Sequence, residues 1–261
     1  MSIKALESLV TTIVASEKVQ GLWRIRDRGM PVFVHTIDVV LLCLEAFPEW
    51  RERYPKLNLE AITVGGLLHD LTKLSARESH IRSHSTIMKE MPEQAISEAV
   101  DVLDAAQLVT GPVLSPEEVD HIWHIIVSHH GVWGKVQPHT PEAALVHQCD
   151  LHSAMRNRCS PVDANDILPL LNRGHRLAVI AAQLGVGTSV VRMRLGEACR
   201  WEHVPDWPGL LEIWLKRGHV VCGGLDRMRQ MERIKLLMKL AAEAPGPILE
   251  ALRRCRNGRD G

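Results

Sequence analysis

The sequence predicts an all-α protein, and three observations carry that reading. Its periodic segments repeat apolar residues at three- and four-residue spacing. Two of them open on helix-start signals, Ser115-Pro116 and Thr140-Pro141. No stretch alternates apolar and polar residues as a half-buried strand does. A hydrophobic fraction of 46% with 24% charged residues suits a globular core. No apolar run approaches the roughly 20 residues that span a bilayer.

The elements follow in order. "MSIKALESLVTTIVASEKV" carries Glu7 and Glu17 and reads as an amphipathic helix rather than a signal peptide. "PVFVHTIDVVLLCLEAF" (31–47) opens on a first-turn proline and is apolar on most faces, the pattern of a central helix. "NLEAITVGGLLHDLTKL" (58–74) is a second helix, capped by Asn58. The segment 83–107 is a third, broken near Pro92. In 115–131, Ser115 caps, Pro116 and two glutamates fill the first turn, and Gly131 stops the helix. Thr140 and Pro141 repeat that device over 140–156.

The texture changes after Arg158, so two domains are expected, residues 1–157 and a smaller helical region, 158–261. The six cysteines (43, 149, 159, 199, 222, 255) form no C-x-x-C pair. That disfavours a disulfide framework or a zinc-thiolate site and suits a reducing cytoplasm, with no membrane partner. The net charge of zero conceals an asymmetry. Residues 1–155 hold 13 Lys+Arg against 20 Asp+Glu, and residues 156–261 hold 18 against 11. A basic half points to a polyanion such as DNA or RNA, or else to two complementary halves packing together.

The stretch "GGLLHDLTKL" (65–74) sets an ionisable pair in an apolar run. Buried charges cost several kcal/mol unless they are paired or bind a metal. On a continuous helix His69 and Asp70 point about 100° apart and Lys73 overhangs the same side. Other candidates fall on separate helices: His35 in 31–47, His84 after the His-Asp pair, His129 and His130 at the end of 115–131, and Asp150 in 140–156.

Taken singly, each is an ordinary satisfied core residue. Their order changes the reading. His35, then His69-Asp70, then His84, then His129-His130, then Asp150 resembles the HD superfamily of metal-dependent phosphohydrolases. The local resemblance runs to the HD domain of YhaM-type 3′→5′ exoribonucleases, through "YPKLNLEAITVGGLLHDLTKL", "HIIVSHHG" and "PEAALVHQCD", over about residues 25–155. It implies a helical bundle in which His35, His69, Asp70 and Asp150 hold one metal. Asp70 would bridge to a second metal, held by His84, His129 and His130.

Such a donor set suits Mn, Fe, Co, Ni or Zn. Two cations about 3.5–4 Å apart would activate a hydroxide for in-line attack at phosphorus. Asp70 and Lys73 are then the catalytic candidates, Lys73 adding positive charge. The implied activity is hydrolysis of phosphodiester or phosphate-ester bonds, with nucleic acid as the preferred substrate. A small-molecule nucleotide phosphohydrolase and a DNA-binding regulator that senses a nucleotide are the alternatives. A di-iron oxygenase lacks an identifiable additional ligand.

Some residues depart from the family pattern. Thr72 stands where many members have glycine, and the interval from Asp70 to His84 is short compared with two-metal members. His80 competes with His84 for the second site. His121 and His124 are read as supporting or surface residues, His147 as orienting Asp150, and His152 is unassigned.

In the basic half, "LAVIAAQLGVGTSVVRMRL" (177–195), within a segment of 166–200, resembles a helix-turn-helix. Ala181 sits at the crossing, Gly185 in the turn, and Val186, Val191 and Leu195 face inward. The nucleic-acid candidates are Thr188, Ser189, Arg192 and Arg194, at the exposed positions of the second helix. A helical hairpin without a nucleic-acid role has the same spacing. With two Phe and one Tyr, no aromatic platform for stacking bases is evident.

Overall fold

The amphipathic N-terminus forms helix α1 (Ile3–Ala15), capped by the Ser2 side chain, and buries Leu6, Leu9, Val10 and Ile13. Ser16 ends α1 and caps α2 (Glu17–Gly21). The computed structural model describes residues 2–27, 30–79, 83–157, 162–221 and 224–257. A two-residue antiparallel ladder pairs Arg26–Asp27 with Met30–Pro31, too short to show as alternation.

Helix α3 (Val32–Arg53) runs past the expected end at residue 47 and through Pro48. A helical proline denies a hydrogen bond to the carbonyl four residues back, here that of Leu44. The Cys255 thiol donates to that oxygen at 3.1 Å, which replaces the missing bond.

Helix α4 (Leu59–Leu68) is capped by Asn58 and is almost wholly buried. A Cβ on Gly65 would stand 2.9 Å from the Ile125 side chain, and one on Gly66 3.1 Å from Val40. The glycine pair therefore permits the close packing of α4 against its neighbours. The expected single helix over 58–74 is corrected: α4 stops at Leu68, and a turn separates it from α5 (Thr72–Ser79). The His69 ring explains the break. Its Nδ1 donates at 2.7 Å to the Gly66 carbonyl, which the Asp70 N–H would use in a continuing helix.

Pro92 divides α6 (His84–Glu90) from α7 (Glu93–Thr110). Helix α8 (Pro116–Ser128) begins with a capping box of Ser115 and Glu118. It ends three residues short of the expected Gly131, again at a histidine. His129 Nδ1 donates to the Ile126 carbonyl at 2.7 Å. Helix α9 (Pro141–Asn157) follows, with Thr140 accepting from the Ala143 N–H. Packing of α3, α4, α8 and α9 encloses the main apolar core.

In the remainder, α10 (Ala164–Asn172), α11 (Leu177–Gln183), α12 (Thr188–Glu202) and α13 (Trp207–Arg217) share a second core that includes Ile167, Ile180, Val191, Leu195 and Leu210. Helix α14 (Gly224–Ala242) leads to α15 (Gly246–Asn257), which packs on α3 and α1. Two compact units result: Met1–Asn157 with Lys235–Gly261, and Arg158–Ile234. The segment from 235 onward, expected within the C-terminal region 158–261, thus belongs with the first unit. Among the described residues no helix is long and apolar enough to cross a membrane.

Candidate metal centre

The C-terminal ends of α4 and α8 are built alike. Each stops at a histidine whose Nδ1 caps the carbonyl three residues back. Because a carbonyl only accepts, Nδ1 carries the proton and Nε2 keeps its lone pair. His69 Nε2 is buried with no hydrogen-bond partner. A buried acceptor left in that state costs free energy, and a cation supplies what it lacks.

His35 reaches the same centre from α3. Ser153 on α9 donates to Asp38 at 2.6 Å, so its oxygen accepts from His35 Nδ1 at 3.0 Å. The His35 Nε2 lone pair then faces Asp150 Oδ1 at 2.8 Å and Asp70 Oδ2 at 3.8 Å. Two acceptors at such a distance need a shared cation, a proton or a metal. Asp38 and Ser153 thus orient His35, a role the sequence reading missed. The available signal is that Asp38 follows His35, and Ser153 follows Asp150, by one helical turn.

Thr72, the departure from the family pattern, holds His84: its hydroxyl lies 2.6 Å from His84 Nδ1. His84 Nε2 is 3.2 Å from Asp70 Oδ1 and 3.3 Å from His129 Nε2. The His130 ring packs edge-on against those of His84 and His129. His80 lies outside the described residues.

Asp70 stands between two groups of donors. Its Oδ2 faces His69 at 3.4 Å and His35 at 3.8 Å, while its Oδ1 faces His84 at 3.2 Å and His129 at 3.8 Å. The ligand atoms of His35, His69 and Asp70 lie within 4.8 Å of one another, as do those of His84, His129 and His130. Lys73 Nζ sits 2.7 Å from Asp70 Oδ2 and 3.4 Å from Asp27. Asp150 joins the first group through His35.

The protonation states suit cation binding. Burial alone would raise the Asp70 pKa, but the Lys73 ammonium above all, with the His69 and His84 imidazoles beside it, holds it well below the usual range. Asp150 is likewise lowered, the effect of the adjoining His35 outweighing burial. Burial lowers His69, and burial with the neighbouring imidazoles lowers His129 further. Burial and His84 bring His130 to about 4. His69, His129 and His130 are thereby pushed toward the neutral form, and Asp70 and Asp150 toward the ionised form, the states that ligate a metal. An orphaned nitrogen and this mixed donor set fit a divalent transition ion.

His147 does not orient Asp150 as expected. Its Nδ1 donates to the His129 carbonyl at 2.6 Å, beside Gly131, where a Cβ would strike the His147 ring at 2.5 Å. His121 and His124 lie outside both ligand groups.

In the second unit, Gly185 takes a positive φ of 66° between α11 and α12. Ala181, Val191 and Leu195 are buried, and Val186 is half-buried. Ser189 and Arg192 are exposed, whereas Thr188 is half-buried. Arg194 differs from the expected exposed position: it is half-buried and paired with Glu197 at 2.7 Å.

Residues 32–155 match the family model of the HD domain. Curated relatives are 3′-5′ exoribonucleases named YhaM from Listeria monocytogenes, Listeria welshimeri and Listeria innocua, each 28% identical over 112 residues. The aligned part is 42% of this chain and 35% of each relative, so the chain spans about a third of the length of the curated relatives it matches. No solved structure matches. Residues 32–155 are thus similar to the HD domain, and both donor groups fall within that stretch.

Proposed function

We propose that this HD domain hydrolyses phosphodiester bonds of nucleic acid, with His35, His69, Asp70 and Asp150 holding one divalent ion and His84, His129, His130 and Asp70 a second. The observation that carries this reading is the Asp70 carboxylate, which turns one oxygen to each donor group. When bound, such ions supply Lewis acidity toward phosphate oxygens and activation of water.

The chain's own residues do the rest. Backbone carbonyls fix the tautomers of His69 and His129, and the Ser153–Asp38 pair fixes that of His35. Fixed tautomers keep the Nε2 lone pairs inward with little reorganisation. Lys73, 13% exposed and anchored by Asp70 and Asp27, presents an ammonium to a phosphoryl oxygen. In the second unit Thr188, Ser189 and Arg192 are the residues proposed to hold the nucleic-acid backbone, with Arg194 supporting them through Glu197. The YhaM relatives favour RNA, being named as exoribonucleases.

Metal content and a substrate panel test the proposal. Manganese-, cobalt-, nickel-, iron- and zinc-loaded protein is offered bis-p-nitrophenyl phosphate, RNA and DNA oligonucleotides, and free nucleotides. Metal-dependent cleavage of oligonucleotides is expected. Turnover of free nucleotides alone would make it a small-molecule phosphohydrolase. Nucleotide-dependent DNA affinity without hydrolysis under any metal would make it a regulator.

A further inference from the structure

A second group of ionisable side chains lies at the opposite end of α8. Glu142, in the first turn of α9, is only 2% exposed. Its Oε1 accepts from the Asn58 N–H at 2.9 Å, whereas its Oε2 has no hydrogen-bond partner. His121 Nδ1 is 3.1 Å from that Oε2 and is also without a hydrogen-bond partner. Two polar atoms this close but not aligned for a hydrogen bond are aimed past one another. Ligands converging on a third point behave this way: tetrahedral bonds of about 2.0–2.1 Å set neighbouring donors about 3.3 Å apart.

Further imidazoles adjoin the pair. His124, one turn after His121, accepts from the His139 N–H at 3.1 Å, and the two rings lie 3.7 Å apart. Burial, then His139 and His121, lower the His124 pKa to about 4, so its ring is neutral. His139 is exposed on the segment before α9, and its ring packs on that of His124.

We propose that His121 and Glu142, completed by His139, bind a divalent transition ion of the zinc type at a structural site separate from the HD centre. Eight residues of helix separate His121 from His129, about 12 Å. The site would clamp the N-termini of α4 and α9 to α8, the helices that carry or lead into His69-Asp70, Asp150 and His129-His130.

Full-length protein is loaded with zinc, desalted and analysed for zinc per chain, with cobalt absorption as a second readout. His121→Ala and Glu142→Gln should each lose one zinc equivalent and the matching part of the cobalt spectrum. Both should keep the equivalents that Asp70→Ala removes. Glu142→Gln retains the acceptor for Asn58, so its fold should persist. A zinc count in His121→Ala equal to that of the unaltered protein overturns the proposal, as does an unaltered protein holding no zinc beyond what Asp70→Ala removes. The count is independent of hydrolysis, so failure here and failure of the phosphohydrolase reading are separate results.

Discussion

Among the described residues, the first unit buries His35, Asp38, His69, Asp70, His84 and His129 together, whereas the second is built around an apolar core without a comparable polar cluster. Burying polar groups is costly unless partners compensate. At the centre of the first unit the His35 and His69 rings are fixed through Nδ1 by a hydroxyl and a carbonyl, and His69 Nε2 is left facing inward. The second unit stabilises its helices chiefly by apolar packing, and its Glu202 side chain, 7% exposed, is paired with Arg217 at 3.0 Å. The difference teaches where chemistry and where recognition can reside: a reaction centre needs desolvated, oriented donors, while contact with a polyanion needs surface charge.

The largest effect should come from Asp70→Ala, which removes the carboxylate between the two donor groups. Turnover should fall by more than about 10²-fold, with loss of bound metal in the same preparation. Activity within a few-fold of the unaltered protein would break the contrast between the units. Leu195→Ala, fully buried in the second core, should destabilise that unit by about 2–5 kcal/mol in urea unfolding. Hydrolysis of bis-p-nitrophenyl phosphate should stay within about two-fold, provided the units are energetically separate.

Ser153→Ala tests the relay behind His35. A roughly 10–100-fold loss in metal affinity is expected, with Ser153→Thr recovering part of it. Unchanged metal affinity would show that Ser153 merely packs. The smallest effect belongs to Arg192→Ala, which should weaken oligonucleotide binding a few-fold and lower its salt slope by about one, sparing the small ester. Point substitutions serve better than deleting the basic region, because Ile248 and Leu252 of α15 belong to the first core.

Much of the clustering was legible because few residue types can serve a cation site. The order His35, His69-Asp70, His129-His130, Asp150 survives in one dimension, and all of these residues lie in or adjoin the two donor groups. The caps at Asn58, Ser115 and Thr140 were legible for a similar reason, since they satisfy N–H groups a few residues away. The break after Leu68 was not. Apolar periodicity continues through residues 69–71, and only the ring bond from His69 to Gly66 shows why the helix stops.

What the sequence determined by itself is therefore local or compositional: helices, their starts, and the succession of imidazoles and carboxylates. Which Asp70 oxygen faces which group, that Asp38 and Ser153 orient His35, that Cys255 serves the carbonyl freed by Pro48, and that residues from 235 onward rejoin the first unit were decided only in three dimensions. Their partners lie up to 211 residues apart. Such pairings depend on how helix faces pack, and hydrophobic burial, which drives that packing, is non-directional and leaves no local signature of the partner.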